Sequence, residues 1–83
     1  HGIGSNALSF ESLIKELPDS WRLIVWNAPG YGNSEPLKLD WPIAEDYALA
    51  LKNFFNRLKL KSPLLVGHSL GALIATSFAA NYP

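Results

Sequence analysis

The sequence predicts an α/β fold, a parallel sheet with helices on both faces, and three observations predict it. Two short apolar segments, residues 21–26 and 63–66, are rich in strand formers and bounded by turn formers. Stretches whose apolar residues recur at helical spacing alternate with them. The resulting order of loop, helix, strand, helix, strand, helix is the one that lays helices on parallel strands. At 83 residues the chain has the size of one small domain with a thin core.

Each element has its own signal. Residues 1–6, His-Gly-Ile-Gly-Ser-Asn, are glycine-rich and read as a loop. Phe10, Leu13, Ile14 and Leu17 then follow helical spacing until Pro18 stops the run, with Ser5, Asn6 and Ser9 all open as the cap. Trp21-Arg22-Leu23-Ile24-Val25-Trp26 is aromatic and β-branched, a buried strand. Residues 27–41, with Pro29, Gly30, Gly32 and Pro36, form a long loop. Asp40 is the expected cap of the next helix, with Pro42 in its first turn. Ile43, Tyr47, Leu51, Phe54, Phe55 and Leu58 share one face of that helix. Glu45 and Asp46 near its start, and Arg57, Lys59 and Lys61 near its end, suit the helix dipole. Pro63-Leu64-Leu65-Val66 is a second buried strand. From Leu70 onward Leu73, Ile74, Ser77 and Phe78 return to helical spacing, while Ala72, Ala75, Ala79 and Ala80 leave room for close packing on a sheet.

Composition removes several classes of function. Net charge is zero and the Lys and Arg residues are dispersed, so nothing points to nucleic acid or an anionic membrane. Apolar runs are too short to span a bilayer. The absence of cysteine excludes a disulfide scaffold, a thiolate nucleophile and a zinc–cysteine site. It leaves the compartment open, with a slight preference for the cytoplasm. No cofactor and no metal are expected; the partner is a small-molecule substrate, and oligomeric state stays open. The chain begins at His1, contains no methionine and stops directly after an apolar helical stretch, so both ends are expected to be cut.

Gly67-His68-Ser69-Leu70-Gly71 fits G-x-S-x-G. At ordinary residue frequencies the pattern arises by chance in roughly 2–3% of chains this long. Its setting gives it force, because an apolar strand ends at Val66 and an apolar helix begins near Leu70. A serine there sits on a tight, strained turn with its hydroxyl lifted clear of the sheet. Glycines two residues to either side remove Cβ atoms that would clash. The Leu70 N–H, first after the serine, is left unpaired at a helix start and aims where an oxyanion would form. A second donor is expected from an earlier loop, and residues 1–4 have the composition for it.

His1-Gly2-Ile3-Gly4, Ala28-Pro29-Gly30-Tyr31-Gly32-Asn33-Ser34 and Gly67-His68-Ser69-Leu70-Gly71 together resemble three successive motifs of the α/β-hydrolase superfamily, in that family's order and at its distances. The resemblance covers residues 1–83, from the oxyanion loop through the helix behind the nucleophile. It implies a partial α/β-hydrolase fold with an incomplete sheet, a fragment of a single domain. It implies Ser69 as nucleophile, with the N–H groups of Leu70 and Ile3 as oxyanion donors. The likeness is greatest to small esterase, lipase and carbon–carbon bond hydrolase members. Serine rather than aspartate at the elbow argues against the alkyl-enzyme chemistry of related dehalogenases and epoxide hydrolases.

Two departures stand out. The family's turn after the first of these strands usually opens with aspartate, where this chain has Asn27. No Asp, Glu or His follows Ser69, so the triad acid and base are expected outside residues 1–83. The family also sets a strand from before His1 between segments 21–26 and 63–66, which would otherwise flank an empty slot.

Other readings of the same residues are less demanding. His68 adjoins Ser69 on the turn, so its ring should project elsewhere, and His1 is read as shaping the oxyanion loop rather than as a base. Gly30-Tyr31-Gly32 lacks the third glycine and the following helix of a dinucleotide site. Trp21 and Trp26 read as packing residues, as do Tyr47, Phe54 and Phe55. Trp41 and Tyr31 lie on the side of a sheet where ligands bind, with packing the favoured role. Ser69 as an ordinary turn serine and a non-catalytic binding domain are the alternatives to an enzyme.

Overall fold

The computed structural model describes residues 1–82. A 3-10 turn, Ala7–Phe10, runs into helix α1, Glu11–Glu16; helix α2 covers Ala44–Leu58 and helix α3 covers Leu70–Asn81. The first cap is Asn6. Its backbone is extended and its Oδ1 accepts the Leu8 N–H at 2.9 Å, satisfying one of the donors a helical start leaves free.

Helix α2 starts later than its sequence suggests. The cap is Ile43, not Asp40. Trp41 precedes Pro42, and the proline ring keeps the residue before it out of the helical region. The carboxylate that completes the start is instead Asp46, whose Oδ2 accepts the Ile43 N–H at 2.7 Å. The far end closes through Lys59 in the left-handed conformation, φ 56°. Leu60 N–H then reaches Phe55 O at 2.9 Å and Lys59 N–H reaches Asn56 O at 3.2 Å, a Schellman closure without its usual glycine.

Helices α2 and α3 pack on each other. Phe55 meets Phe78 edge-on with ring centroids 4.9 Å apart. Phe78 in turn packs on Tyr82, and the Lys52 ammonium lies 4.5 Å above the Tyr82 ring. Ala48 and Leu51 of α2, Ile74 of α3, and Ala7 and Ala28 from the loops make up the buried apolar core. Trp26 packs on Phe54, as expected.

The expected parallel sheet is not formed among the described residues. Residues 21–26 and 63–66 carry no ladder, and no backbone hydrogen bond reaches 22–26 or 63–66. The physical reason is the lack of a partner: a strand is held by a neighbour about 4.8 Å away, and neither segment has one. Both instead line one open apolar cavity of about 530 Å³, together with Phe10, Leu51, Phe54 and Ile74. Their side chains are consequently not buried as expected; Leu23, Ile24, Val25, Leu64 and Val66 stay exposed, and Trp21 is 53% exposed rather than packed. No helix among the described residues is long and apolar enough to cross a membrane.

Candidate active site

Ser69 caps α3 with φ 58° and ψ −118°. A positive φ at a residue with a Cβ costs on the order of 1–3 kcal/mol, so the surrounding turn must hold it there. Backbone bonds do so. Ala72 and Leu73 N–H groups donate to Ser69 O at 3.0 and 3.2 Å, and Gly71 N–H donates to His68 O at 2.9 Å. The two flanking glycines are required by contact. A Cβ on Gly67 would run into Gly71 O and lie 2.7 Å from Ala72 N, and a Cβ on Gly71 would lie 2.6 Å from His1 N. Leu70 N–H, the first amide of α3, meets no acceptor among the described residues, and the positive end of the helix dipole reinforces it.

The loop at residues 1–5 folds onto this turn. Gly71 N–H also donates to His1 O at 2.9 Å, tying the loop to the start of α3. A tight turn follows, closed by Ser5 N–H to Gly2 O at 3.1 Å, with Gly4 at φ 76° in the position that favours glycine. A Cβ on Gly2 would lie 3.5 Å from Ser69 Cβ and 3.7 Å from Ser69 Oγ, so the loop backbone rests directly against the serine. Ile3 N–H, in the next peptide, also meets no acceptor among the described residues, and the Ile3 side chain is exposed.

His1 is buried, at 8% exposure. Its Nε2 faces the Ala28 N–H at 3.1 Å and its Nδ1 faces Gly2 O at 3.0 Å. Tyr31 packs edge-on against the ring, 4.9 Å between centroids, which gives Tyr31 a packing role. His68 is exposed, with the Gly2 Cβ position 4.0 Å from its Nδ1. Among the described residues no hydrogen bond joins either histidine to Ser69 Oγ. Trp41 is 91% exposed.

The Asn27 side chain bonds away from its own turn. Its Oδ1 accepts the N–H of Ala7, twenty residues earlier, at 2.7 Å. The turn itself is held by Ser34 Oγ donating to Asn27 O at 2.6 Å and by Tyr31 N–H to Ala28 O at 2.9 Å. Gly32 is needed beside it, since a Cβ there would lie 2.6 Å from Asn27 Cγ. The links from Asn27 to Ala7 and from His1 to Ala28 are what join the first loop to the second, and sequence reasoning missed both. Neither has a local signal, because each pairs a side chain with a distant main-chain amide. Among the described residues no three His, Cys, Asp or Glu side chains gather.

The chain is 37% identical over its full length to 2-(acetamidomethylene)succinate hydrolase of Mesorhizobium japonicum, covering 30% of that protein. It is 32% identical over its full length to the uncharacterized hydrolase YugF of Bacillus subtilis, again covering 30%. A serine hydrolase-like protein of Danio rerio is 31% identical over 84 aligned residues, 26% of its length. The chain thus spans between a quarter and a third of these relatives. No solved structure matches it. The family described as alpha/beta hydrolase fold matches residues 1–83, end to end, and the chain belongs to that family.

Proposed function

We propose that residues 1–83 are the part of a single α/β-hydrolase domain that runs from the oxyanion loop to the helix after the nucleophile, and that the whole protein is a serine hydrolase. Its substrate is an ester or a related carbonyl compound. The observation that carries the reading is Ser69 at φ 58° beside two amides without an acceptor among the described residues, Leu70 N–H at the start of α3 and Ile3 N–H in the loop lying on the serine.

The chemistry follows from those groups. A histidine from outside residues 1–83, oriented by an acid also outside them, takes the Ser69 Oγ proton as Oγ attacks the carbonyl carbon. The oxygen of the tetrahedral intermediate becomes anionic and is held by the Ile3 and Leu70 N–H groups. Collapse breaks the bond to the leaving group, which takes the proton back from the histidine. Water, deprotonated by the same histidine, attacks the acyl-enzyme; the acid product leaves and Ser69 regains its proton. Relatives named as hydrolases support the reaction class.

The test is covalent labelling of the whole protein with a fluorophosphonate probe, with turnover of p-nitrophenyl acetate alongside. Labelling falls on Ser69. A folded Ser69→Ala protein loses it, and turnover drops by about 10⁴-fold or more. A folded Ser69→Ala protein with undiminished turnover overturns the reading in favour of a serine without chemistry, and a whole protein that neither labels nor turns over favours a binding domain.

A further inference from the structure

Between the loop after residue 26 and helix α2 lies a second hollow, of about 270 Å³, which has room for a small molecule with a single ring. Trp26, Pro29 and Phe54 wall it, and Asn27, Asn53 and Arg57 bring amide and guanidinium donors to it. Asn53 and Arg57 stand one turn apart on α2, so they share a face. The Trp26 and Phe54 rings lie 6.2 Å apart between centroids, tilted by 43°. Neither Ser69 nor any residue of the first loop lines this hollow.

Its polar character is one-sided. Asn27 Oδ1 accepts the Ala7 N–H at 2.7 Å, which orients the side-chain amide and leaves Nδ2 for another partner. Among the described residues Nδ2 meets no acceptor, and no buried side-chain nitrogen lacks one, so Nδ2 is open to solvent. Arg57 is exposed, and among the described residues the one ion pair joins Glu11 to Lys15, so its guanidinium has no carboxylate. No Asp or Glu lines the hollow. The result is one full positive charge with amide donors beside it and no competing anion.

That set selects its ligand. A guanidinium fork matches a carboxylate through two parallel hydrogen bonds. A single positive charge balances a monoanion and leaves a doubly charged phosphate half compensated. The two rings favour a flat apolar body. Asparagine at position 27 sets the sign: aspartate would keep the Ala7 bond but put an anionic oxygen where Nδ2 stands, and would repel a carboxylate.

We propose that this hollow is a binding site for a small aromatic carboxylate. Arg57 holds the carboxylate, Asn27 Nδ2 and Asn53 donate to it, and the ring packs against Trp26 and Phe54. The site is independent of the chemistry proposed for Ser69.

The test is calorimetric titration of the whole protein with benzoate. Saturable binding is expected with a Kd of about 1 mM, ordinary for so few atoms. Arg57→Gln, at an exposed position, and Asn27→Asp are each expected to weaken it by about tenfold to a hundredfold, the scale of a charge-assisted hydrogen bond. Benzamide, the neutral analogue, and inorganic phosphate are both expected to bind more weakly than benzoate. No saturable binding up to about 20 mM benzoate overturns the proposal. So does a folded variant of either residue with wild-type affinity, the outcome if benzoate sits at Ser69 as an acid product instead. Benzamide binding as tightly as benzoate, or phosphate binding more tightly, overturns the carboxylate assignment. If Asn27→Asp does not fold, Arg57→Gln and the two analogues decide.

Discussion

Asn27 shows how a single side chain can do a different job from the one its neighbourhood suggests. Its Oδ1 holds Ala7 N–H across twenty residues, so it fastens the first loop rather than its own turn. Aspartate, the residue usual in the resembling motif, carries the same acceptor at the same reach. In the whole protein Asn27→Asp is therefore expected to change unfolding free energy by no more than about 1 kcal/mol, measured by denaturant melts. A larger loss would show that the pocket beside Gly32 excludes charge. At this scale the sequence was informative wherever a residue's job depends on its immediate neighbours. The glycines at 67 and 71 are such a case: the turn they permit is written in five consecutive positions, and the contacts they avoid follow from it. The His1–Ala28 and Asn27–Ala7 bonds were not legible, because alanine carries no mark of what its amide will meet.

Helices show the opposite balance. The repeat of apolar residues announced α2 and α3, and Leu70 begins α3 as its spacing implies. What the pattern missed was an end: Trp41-Pro42 forbids a helical start at the expected place, and the cap moved to Ile43. The other end of α2 offers a prediction. Lys59 sits at φ 56°, in a conformation that an L-residue enters at a cost of about 1 kcal/mol and glycine enters freely. Its side chain is exposed, so nothing is lost by removing it. Lys59→Gly is expected to raise the stability of the whole protein by about 0.5–1 kcal/mol, offset in part by the greater freedom of glycine in the unfolded chain. The shift in denaturant midpoint at unchanged slope would measure it. Segments 21–26 and 63–66 read as strands, but a ladder depends on a paired neighbour, and among the described residues neither segment has one.

The whole chain exposes 6297 Å², against about 4,900 Å² for a self-sufficient folded chain of this mass. Much of the excess is apolar: Leu23, Ile24, Val25, Leu64 and Val66 around the cavity, and Leu73 on the outer side of α3. Among the described residues no large side chain is fully buried. On these grounds the isolated 83-residue chain is expected to lack a cooperative thermal or denaturant transition by circular dichroism, with residual helix melting gradually. A sharp, two-state melt would show that helices α2 and α3 suffice as a core. The bond from Gly71 N–H to His1 O carries one more consequence, for the order in which the protein matures. It joins residues 1 and 71, far apart in sequence, so its entropy of closure is recovered only once the elements between are in place. A partly folded molecule, or one still emerging from the ribosome before α3 is made, has Ser69 without the first loop seated against it. Among the described residues, the seating of the first loop on the Ser69 turn is thus a late contact, made after the helices that it spans.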